Sequence, residues 1–180
     1  RFTLNLGYTT QIFDGLDTRF NLFAQRVKGK PYSFTFDWDP GFGDERPFED
    51  RSLLYVPLED DPIVAYSDDF DLAAFNAFIR TAGLEGSRGT IVDRNAQNSD
   101  WWSRVDVRVS QEIPGFMDDH SGEIYFAIRN IGNLINDQWG VYRQVNFEYN
   151  NPVLDATLLD DGTYLYTNFD GDRGQTVNAD

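Results

Sequence analysis

The sequence contains no cysteine, and only one histidine occurs among its 180 residues. Disulfide bonds and thiolate metal sites are therefore excluded, and histidine-based catalysis would have to use His120. That residue lies in the turn-forming stretch GFMDDHSG, where a histidine is usually exposed to solvent, and no GxSxG motif supplies a nucleophilic serine. We therefore expect that the chain is not an enzyme.

Long apolar runs and excess positive charge are also missing. No apolar run approaches the roughly 20 residues of a membrane-spanning helix, so helical insertion is excluded. Insertion by strands is not excluded, because a membrane strand needs only alternation. The formal net charge of -15 argues against a surface that follows nucleic-acid phosphates. We expect no nucleic-acid partner.

Alternation of apolar and polar residues is the main pattern that is present, and it predicts strands. In the cleanest example, Phe2, Leu4, Leu6 and Tyr8 share one face, and the turn pair Asp14-Gly15 then predicts a hairpin. The pattern predicts an all-β chain with strands near residues 1–13, 18–28, 32–38, 103–113, 123–131, 140–149 and 163–169. The sixth strand is expected to end at the sequence Asn150-Asn151-Pro152.

The third predicted strand places Tyr32, Phe34, Phe36 and Trp38 on one face. In a soluble protein such a face has to be covered by another sheet, because it would otherwise promote aggregation. In the wall of a membrane barrel it would instead face lipid and run into an aromatic girdle. The pattern leaves both interpretations open.

Strand alternation fails between residues 39 and 98, which form an acidic, turn-rich loop. Within it, DDFDLAAFNAFIRTAG predicts a helix near 69–82, capped by Asp68 or Asp69 and ended by Gly83. A segment this long is either functional or an insertion that folds on a scaffold. We therefore expect the loop to face a ligand.

Acidic residues suggest two kinds of site. Adjacent carboxylates would suit glycosidase chemistry, and they occur at Asp60-Asp61, Asp68-Asp69, Asp118-Asp119 and Asp160-Asp161. Asn168, Asp170 and Asp172 have the spacing of the first ligands of a calcium loop, which makes calcium a candidate cofactor. However, Arg173 stands where the loop glycine is expected and no glutamate closes the loop, so an exposed polar loop is the simpler interpretation.

A series of motifs runs from residue 89 to residue 147. It comprises an arginine–asparagine pair, a tryptophan, a strand of the form R-x-D-x-R-x-S-Q-E-I-P, and an asparagine-rich segment ending in tryptophan–glycine. The matching residues are Arg94, Asn95, Trp102, Arg104, Asp106, Arg108, Ser110, Gln111, Glu112, Ile113, Pro114, Asn133, Leu134, Asn136, Trp139 and Gly140. This series resembles the C-terminal barrel region of TonB-dependent outer-membrane receptors, especially the Oar-like group. The sequence Tyr55-Val56-Pro57 before a helix is similar to that group's extracellular insertion.

The resemblance implies antiparallel strands that form part of a transmembrane β-barrel in the outer membrane of a Gram-negative bacterium. Arg104, Asp106, Arg108 and Arg129 would face the lumen. The residues expected to face an unknown extracellular ligand are Asp60, Asp61, Asp68, Asp69, Trp101 and Trp102. Outer-membrane lipid, the rest of the barrel with its plug, and TonB would be the other partners. Because the sequence begins at Arg1 and its only methionine is internal, we expect a processed or excised piece of a longer protein.

Two other interpretations remain open from the residues alone. The first is a soluble β-sandwich that binds carbohydrate or protein through acidic loops, which are also candidates for calcium binding. It keeps the strands but buries their apolar faces against each other. The second is a glycosidase that uses one of the carboxylate pairs.

Overall fold

The computed structural model describes residues 1–37, 52–117, 120–137, 139, 141–173 and 175–179. Trp38, Asp118, Asp119, Gly140 and residues 39–51 of the predicted loop lie outside this part. Within it, the strands are β1 (Phe2–Phe13), β2 (Leu16–Val27), β3 (Pro31–Asp37), β4 (Tyr55–Val56), β5 (Val64–Tyr66), β6 (Thr90–Ile91), β7 (Gln97–Asn98), β8 (Trp102–Pro114), β9 (Ser121–Ile128), β10 (Val141–Val145), β11 (Asn150–Leu158), β12 (Tyr164–Thr167) and β13 (Gln175–Ala179). The helices are α1 (Leu72–Thr81) and two 3-10 turns, Glu85–Ser87 and Ile131–Leu134. The chain is mostly β-structure with antiparallel sheets, which confirms the coarse prediction.

The chain divides into two compact units. The first contains residues 1–29, 100–142 and 177–180, and the second contains residues 30–99 and 143–176. The sequence predicted one barrel segment over 1–180 with a single inserted loop. The structure instead assigns the strands predicted at 32–38 and 163–169 to the second unit, because their apolar side chains are buried in its core.

The first unit is a four-stranded antiparallel sheet with the order β1-β2-β8-β9. The two-residue connection between β1 and β2 contains Gly15 at φ +72°, a conformation that glycine adopts without strain. The register places Leu6 opposite Leu22, Leu22 opposite Val107, and Val107 opposite Ile128. Because side chains alternate along every strand, this register brings the apolar positions of all four strands onto one face.

Two strands end earlier than their alternation predicts. The strand predicted at 123–131 ends at Ile128, because Asn130 takes a left-handed conformation at φ +53° and begins a 3-10 turn. The strand predicted at 140–149 ends at Val145, and Tyr149 then has φ +65°. A positive φ takes the chain out of the extended region, so pairing cannot continue through these residues.

The second unit contains a five-stranded mixed sheet with the order β5-β12-β11-β3-β7. Its core is formed by Phe34, Phe36, Leu54, Val56, Phe75, Ile79, Leu84, Val92, Val153, Leu154, Ala156 and Tyr166. Phe34 and Phe36 of the aromatic face predicted on the third strand are therefore covered by protein, and the interpretation in which they face lipid is wrong. Phe34 and Phe36 are only 3% and 1% exposed.

The predicted turn at Asn150-Asn151-Pro152 is wrong, because these residues begin β11. This strand runs parallel to β3 and antiparallel to β12. Pro152 is accommodated by a register shift between Pro152 and Leu154, which is one of the few places where a paired strand tolerates proline. Val153 and Leu154 are fully buried, so burial outweighs the local turn preference.

Helix α1 lies within the predicted range, but its cap differs from the prediction. Asp71, rather than Asp68 or Asp69, accepts a hydrogen bond from the backbone N–H of Ala74 at 2.8 Å. Gly83 follows the last turn at φ +71°, as a helix end requires. Phe75 and Ile79 are buried in the core of the second unit. None of the helices in the described part of the chain has both the length and the apolar character needed to cross a membrane.

Candidate functional site

One face of the first unit's sheet, here called the apolar face, is continuous across the four strands. Its apolar members are Phe2, Leu4, Leu6, Tyr8, Phe20, Leu22, Ala24, Val105, Val107, Val109, Ile124, Phe126 and Ile128, and the polar residues Thr10, Thr18, Arg26, Ser103 and Gln111 lie on the same side. Its outer strands are well exposed: Phe2 is 69% exposed, Leu6 55% and Phe126 67%. Large contiguous apolar surfaces on a protein commonly mark sites of contact with another protein, a ligand or a membrane.

The opposite face of the same sheet carries ion pairs. Arg104 contacts Asp106 at 2.8 Å, and Arg108 contacts Glu123 at 2.8 Å. Glu123 is shared with Arg19 at 3.2 Å, so three strands contribute to one charged row. This face contains the predicted lumen residues Arg104, Asp106 and Arg108. Arg129, the fourth predicted lumen residue, follows β9 and is exposed.

The two tryptophans predicted to face a ligand have different environments. Trp101 stacks on Phe2, with ring centroids 6.0 Å apart, and the guanidinium carbon of Arg26 lies 5.7 Å from the Trp101 ring. These contacts place Trp101 at one end of the apolar face. Trp102 is half-buried and meets Tyr142 edge-on at 5.9 Å. Adjacent residues of an extended chain point to opposite faces, which explains the difference.

The second unit contains a cavity of about 560 Å³, here called the helix cavity. It is lined by Leu58, Glu59, Tyr66, Leu72, Asn76, Arg80, Glu85 and Arg88. Its volume falls within the usual range of small-ligand sites, and both charge signs and one aromatic ring are present in its lining. Burial is the main reason that the pKa of Tyr66 is raised, so this phenol is neutral at pH 7.

Arg88 is the best-fixed charged group of the helix cavity. Its guanidinium donates hydrogen bonds to the carbonyl oxygen of Pro57 at 3.0 Å, to Asn76 Oδ1 at 2.8 Å and to Glu85 Oε2 at 3.3 Å. Three acceptors from separate segments hold this group in one orientation. Arg80, by contrast, is exposed at the rim.

Sequence reasoning missed this cavity, although a signal for it was present. Leu72, Asn76 and Arg80 follow one another at intervals of four residues on α1. That spacing places them on one side of the helix, next to the stripe that contains the buried Phe75 and Ile79. The residues predicted from the acidic pairs do not line the cavity.

Asp61 has a structural role rather than a ligand-facing one. Its carboxylate accepts hydrogen bonds from the Tyr55 hydroxyl at 2.7 Å and from the backbone N–H groups of Leu58 and Ile63 at 3.1 and 3.2 Å. Burial raises the pKa of Asp61, but these hydrogen bonds outweigh burial, and its pKa lies below the usual value. Burial and the bond to Asp61 raise the pKa of Tyr55 to about 12. The pair closes the loop between β4 and β5.

Five other acidic residues of the predicted pairs are exposed: Asp60, Asp68, Asp69, Asp160 and Asp161. Asp69 accepts a 2.6 Å hydrogen bond from the Ser67 hydroxyl, and this bond lowers the pKa of Asp69. Asp161 accepts hydrogen bonds from the hydroxyl and the backbone N–H of Thr163, which also lower its pKa. Both partnerships stabilise turns.

An arginine occupies the centre of the predicted calcium loop. Asp170 accepts a hydrogen bond from the backbone N–H of Asp172 at 3.0 Å, and Asn168 donates to Asp155 at 2.6 Å. The guanidinium of Arg173 contacts Asp37, Asp155 and the Asn168 carbonyl oxygen. In the part of the chain that the structure describes, no group of three histidine or acidic side chains is arranged to hold a metal ion. Calcium binding here stays a prediction, which calcium-dependent thermal stabilisation would test.

His120, the single candidate for histidine catalysis, is exposed between β8 and β9. Comparisons of the chain with protein-family models, curated proteins and solved structures found no match. What the chain does is therefore inferred from its own residues.

Proposed function

We propose that the chain is a portion of a TonB-dependent outer-membrane receptor, in which it forms part of the barrel wall and a ligand-facing extracellular loop for energy-coupled uptake. The observation that carries this proposal is the four-stranded antiparallel sheet with one continuous, partly exposed apolar face and one ion-paired face. In a barrel of this kind the first face contacts lipid and the second faces a wet lumen.

Three of the four strands have the length that this role requires. β1 and β2 have 12 residues each and β8 has 13, whereas a tilted membrane strand needs about 9 to 11; β9 is shorter, with 8 residues. At roughly 3.4 Å per residue, β1 is about 37 Å long. At a tilt of about 40° this corresponds to a height of about 29 Å, enough to cross the apolar band of about 25 Å in membrane barrels.

The energetics favour lipid as the partner of the apolar face. Transfer of a large apolar side chain from water into an apolar phase is worth about 1.5 to 3 kcal/mol when it is complete. The most exposed members of this face are Phe2, Leu4, Leu6, Tyr8, Ile124 and Phe126, each about half to two-thirds exposed. Their transfer would contribute roughly 8 kcal/mol, comparable to the stability of a whole domain.

Chain connectivity supports an extracellular role for the second unit. Residues 30–99 leave from the end of β2 and return at the start of β8, whereas the turns after β1 and β8 are short. Membrane barrels have short periplasmic turns and long extracellular loops. The helix cavity then belongs to the loop side, where an extracellular ligand arrives. The plug and the contact with TonB would come from other parts of the receptor.

The alternative of a soluble β-sandwich requires a second sheet over the apolar face. The second unit has its own core, formed by its own sheet and α1. The apolar faces of its strands already have partners within that unit, which favours the receptor over the sandwich.

Detergent dependence tests the proposal. The expressed chain is expected in the membrane fraction and should stay monodisperse only in detergent or lipid. As a matched control, the same chain with Leu4, Leu6 and Tyr8 changed to threonine should lose most of this dependence. A folded, monodisperse monomer that purifies from the soluble fraction without detergent would refute the proposal.

A further inference from the structure

The apolar face ends in a cationic and aromatic cluster. In the sheet register Arg26 lies opposite Phe2 on one side and Ser103 on the other, so its side chain belongs to the apolar face. Among the described strand residues of that face, only Arg26 is charged. Its guanidinium lies 5.7 Å from the ring of Trp101, which stacks on Phe2. A charge on an otherwise apolar face calls for an anionic partner.

A second cation follows on the same side. Pairing between the strands continues past the end of β2, because the backbone N–H of Gly29 donates to the carbonyl oxygen of Asp100 at 3.1 Å. Alternation therefore places Lys28 on the side of Arg26, beside Trp101. Two cations and two aromatic rings are thus concentrated at one end of the apolar face, in a chain whose formal net charge is -15.

A groove of about 300 Å³ lies beside this cluster on the apolar face. Phe2, Leu4, Ala24 and Val105 provide its apolar lining, and its polar lining residues are Thr3, Gln25, Arg26 and Ser103. The groove therefore combines apolar side chains with one cationic group. A lipid has the complementary arrangement, with an acyl chain and an anionic headgroup.

We propose that Arg26, Lys28 and Trp101 bind the phosphate-bearing headgroup of an anionic lipid, with an acyl chain in the groove beside Phe2 and Leu4. The inference rests on the proposed membrane role of the apolar face. Guanidinium groups bind phosphate oxygens in pairs, and tryptophan favours the headgroup level of a bilayer. The cluster lies at the strand ends from which the second unit leaves, so the lipid belongs to the outer leaflet.

The experiment compares two kinds of vesicle, one of phosphatidylcholine alone and one in which part of it is replaced by phosphatidylglycerol. Partitioning of the full chain is followed by tryptophan fluorescence. Each basic residue near an anionic surface strengthens binding by about five-fold, so Arg26→Gln should weaken partitioning into the phosphatidylglycerol vesicles by about that factor. It should leave partitioning into phosphatidylcholine unchanged.

Arg1→Gln is the matched control, because it removes the same charge at the same end of the sheet. Arg1 donates to Gln25 at 3.4 Å, and Gln25 lies on the opposite face from Arg26. If Arg26→Gln and Arg1→Gln change partitioning equally, or if Arg26→Gln weakens partitioning equally into both kinds of vesicle, the headgroup site is refuted and the membrane role stands. If the unsubstituted chain enters neither kind of vesicle, the membrane role itself fails, and the headgroup site with it.

Discussion

A charged substitution at the middle of the apolar face distinguishes a sheet whose apolar face contacts lipid from a sheet that is surrounded by water. Leu6 lies near the midpoint of the apolar stretch of β1 and opposite Leu22. Its neighbour Asn5 points to the other face and lies opposite Phe23. Leu6→Arg and Asn5→Arg therefore add the same charge to adjacent residues of one strand, on opposite faces of the sheet.

The expected difference between the two substitutions is large. An arginine on the lipid face near the midplane costs about 2 to 4 kcal/mol. Leu6 is 55% exposed in the chain, so the loss of its transfer into lipid adds roughly 1 kcal/mol. The total of about 3 to 5 kcal/mol corresponds to a loss of about a hundred-fold to several thousand-fold in the folding equilibrium. Asn5→Arg, on the wet face, should stay within about 0.5 kcal/mol of the unsubstituted chain.

The assay is reversible unfolding by urea in phosphatidylcholine vesicles, followed by the fluorescence of the tryptophans. Extrapolation of each titration gives a free energy of unfolding for each variant. If Leu6→Arg and Asn5→Arg differ by less than about 0.5 kcal/mol, the apolar face does not contact lipid, because an exposed surface position tolerates either substitution.

Three further predictions concern the second unit, and urea titration checks each of them. Asp71→Ala should lower the free energy of unfolding by about 1 kcal/mol because it removes the cap of α1, whereas Asp68→Ala at an exposed position should not. The lowered pKa of Asp61 implies a stabilising contribution that is present above its unfolded value of 3.8 and is lost as the pH falls through the folded value. Tyr55→Phe should lower the free energy of unfolding by about 1 kcal/mol at pH 7, and it should reduce the difference between the free energies of unfolding at pH 7 and at acidic pH. If that difference is the same with and without the substitution, the hydrogen bond to Asp61 does not have this role. Arg88→Ala should cost roughly 2 kcal/mol because it removes three hydrogen bonds, and a neutral result would contradict its role in fixing the helix cavity.

The strands of the first unit could be predicted because their local signals agree. β1, β2 and β8 combine two-residue alternation with turn residues at their ends, and β1 and β2 are joined by the shortest possible hairpin connection. The ends of β9 and β10 could not be predicted. Asn130, two residues after β9, and Tyr149, four residues after β10, take left-handed conformations, for which alternation gives no signal.

The second unit was harder to predict because its pairing is non-local. β11 begins at Asn150, yet its partner β3 lies more than a hundred residues earlier in the chain. The local sequence Asn150-Asn151-Pro152 favours a turn, and only burial of Val153 and Leu154 against the distant strand opposes that preference. A short window of sequence contains no information about that partner.

The candidate functional residues were predicted from residue type, and this explains which of them the sequence identified. The sequence predicted that the charged residues of β8 share one face, because their alternation with valine residues is sufficient to show it. The acidic pairs were chosen for their charge, but their role depends on which donors fold against them, as the three hydrogen bonds to Asp61 illustrate. Arg88 was missed because its three acceptors come from separate segments.

β1 and β3 have the same kind of alternation but different surroundings. Phe2 on β1 is 69% exposed, whereas Phe34 on β3 is 3% exposed. What differs is the partner of each apolar face, because α1 packs over β3 through the 5.0 Å edge contact between Phe34 and Phe78. In the sheet of β1, the apolar positions of the outer strands β1 and β9 are exposed, as Leu6 and Phe126 show, and those of β2 and β8 are partly exposed. Alternation therefore predicts that a strand has an apolar face, and the fold determines whether protein or another phase covers it.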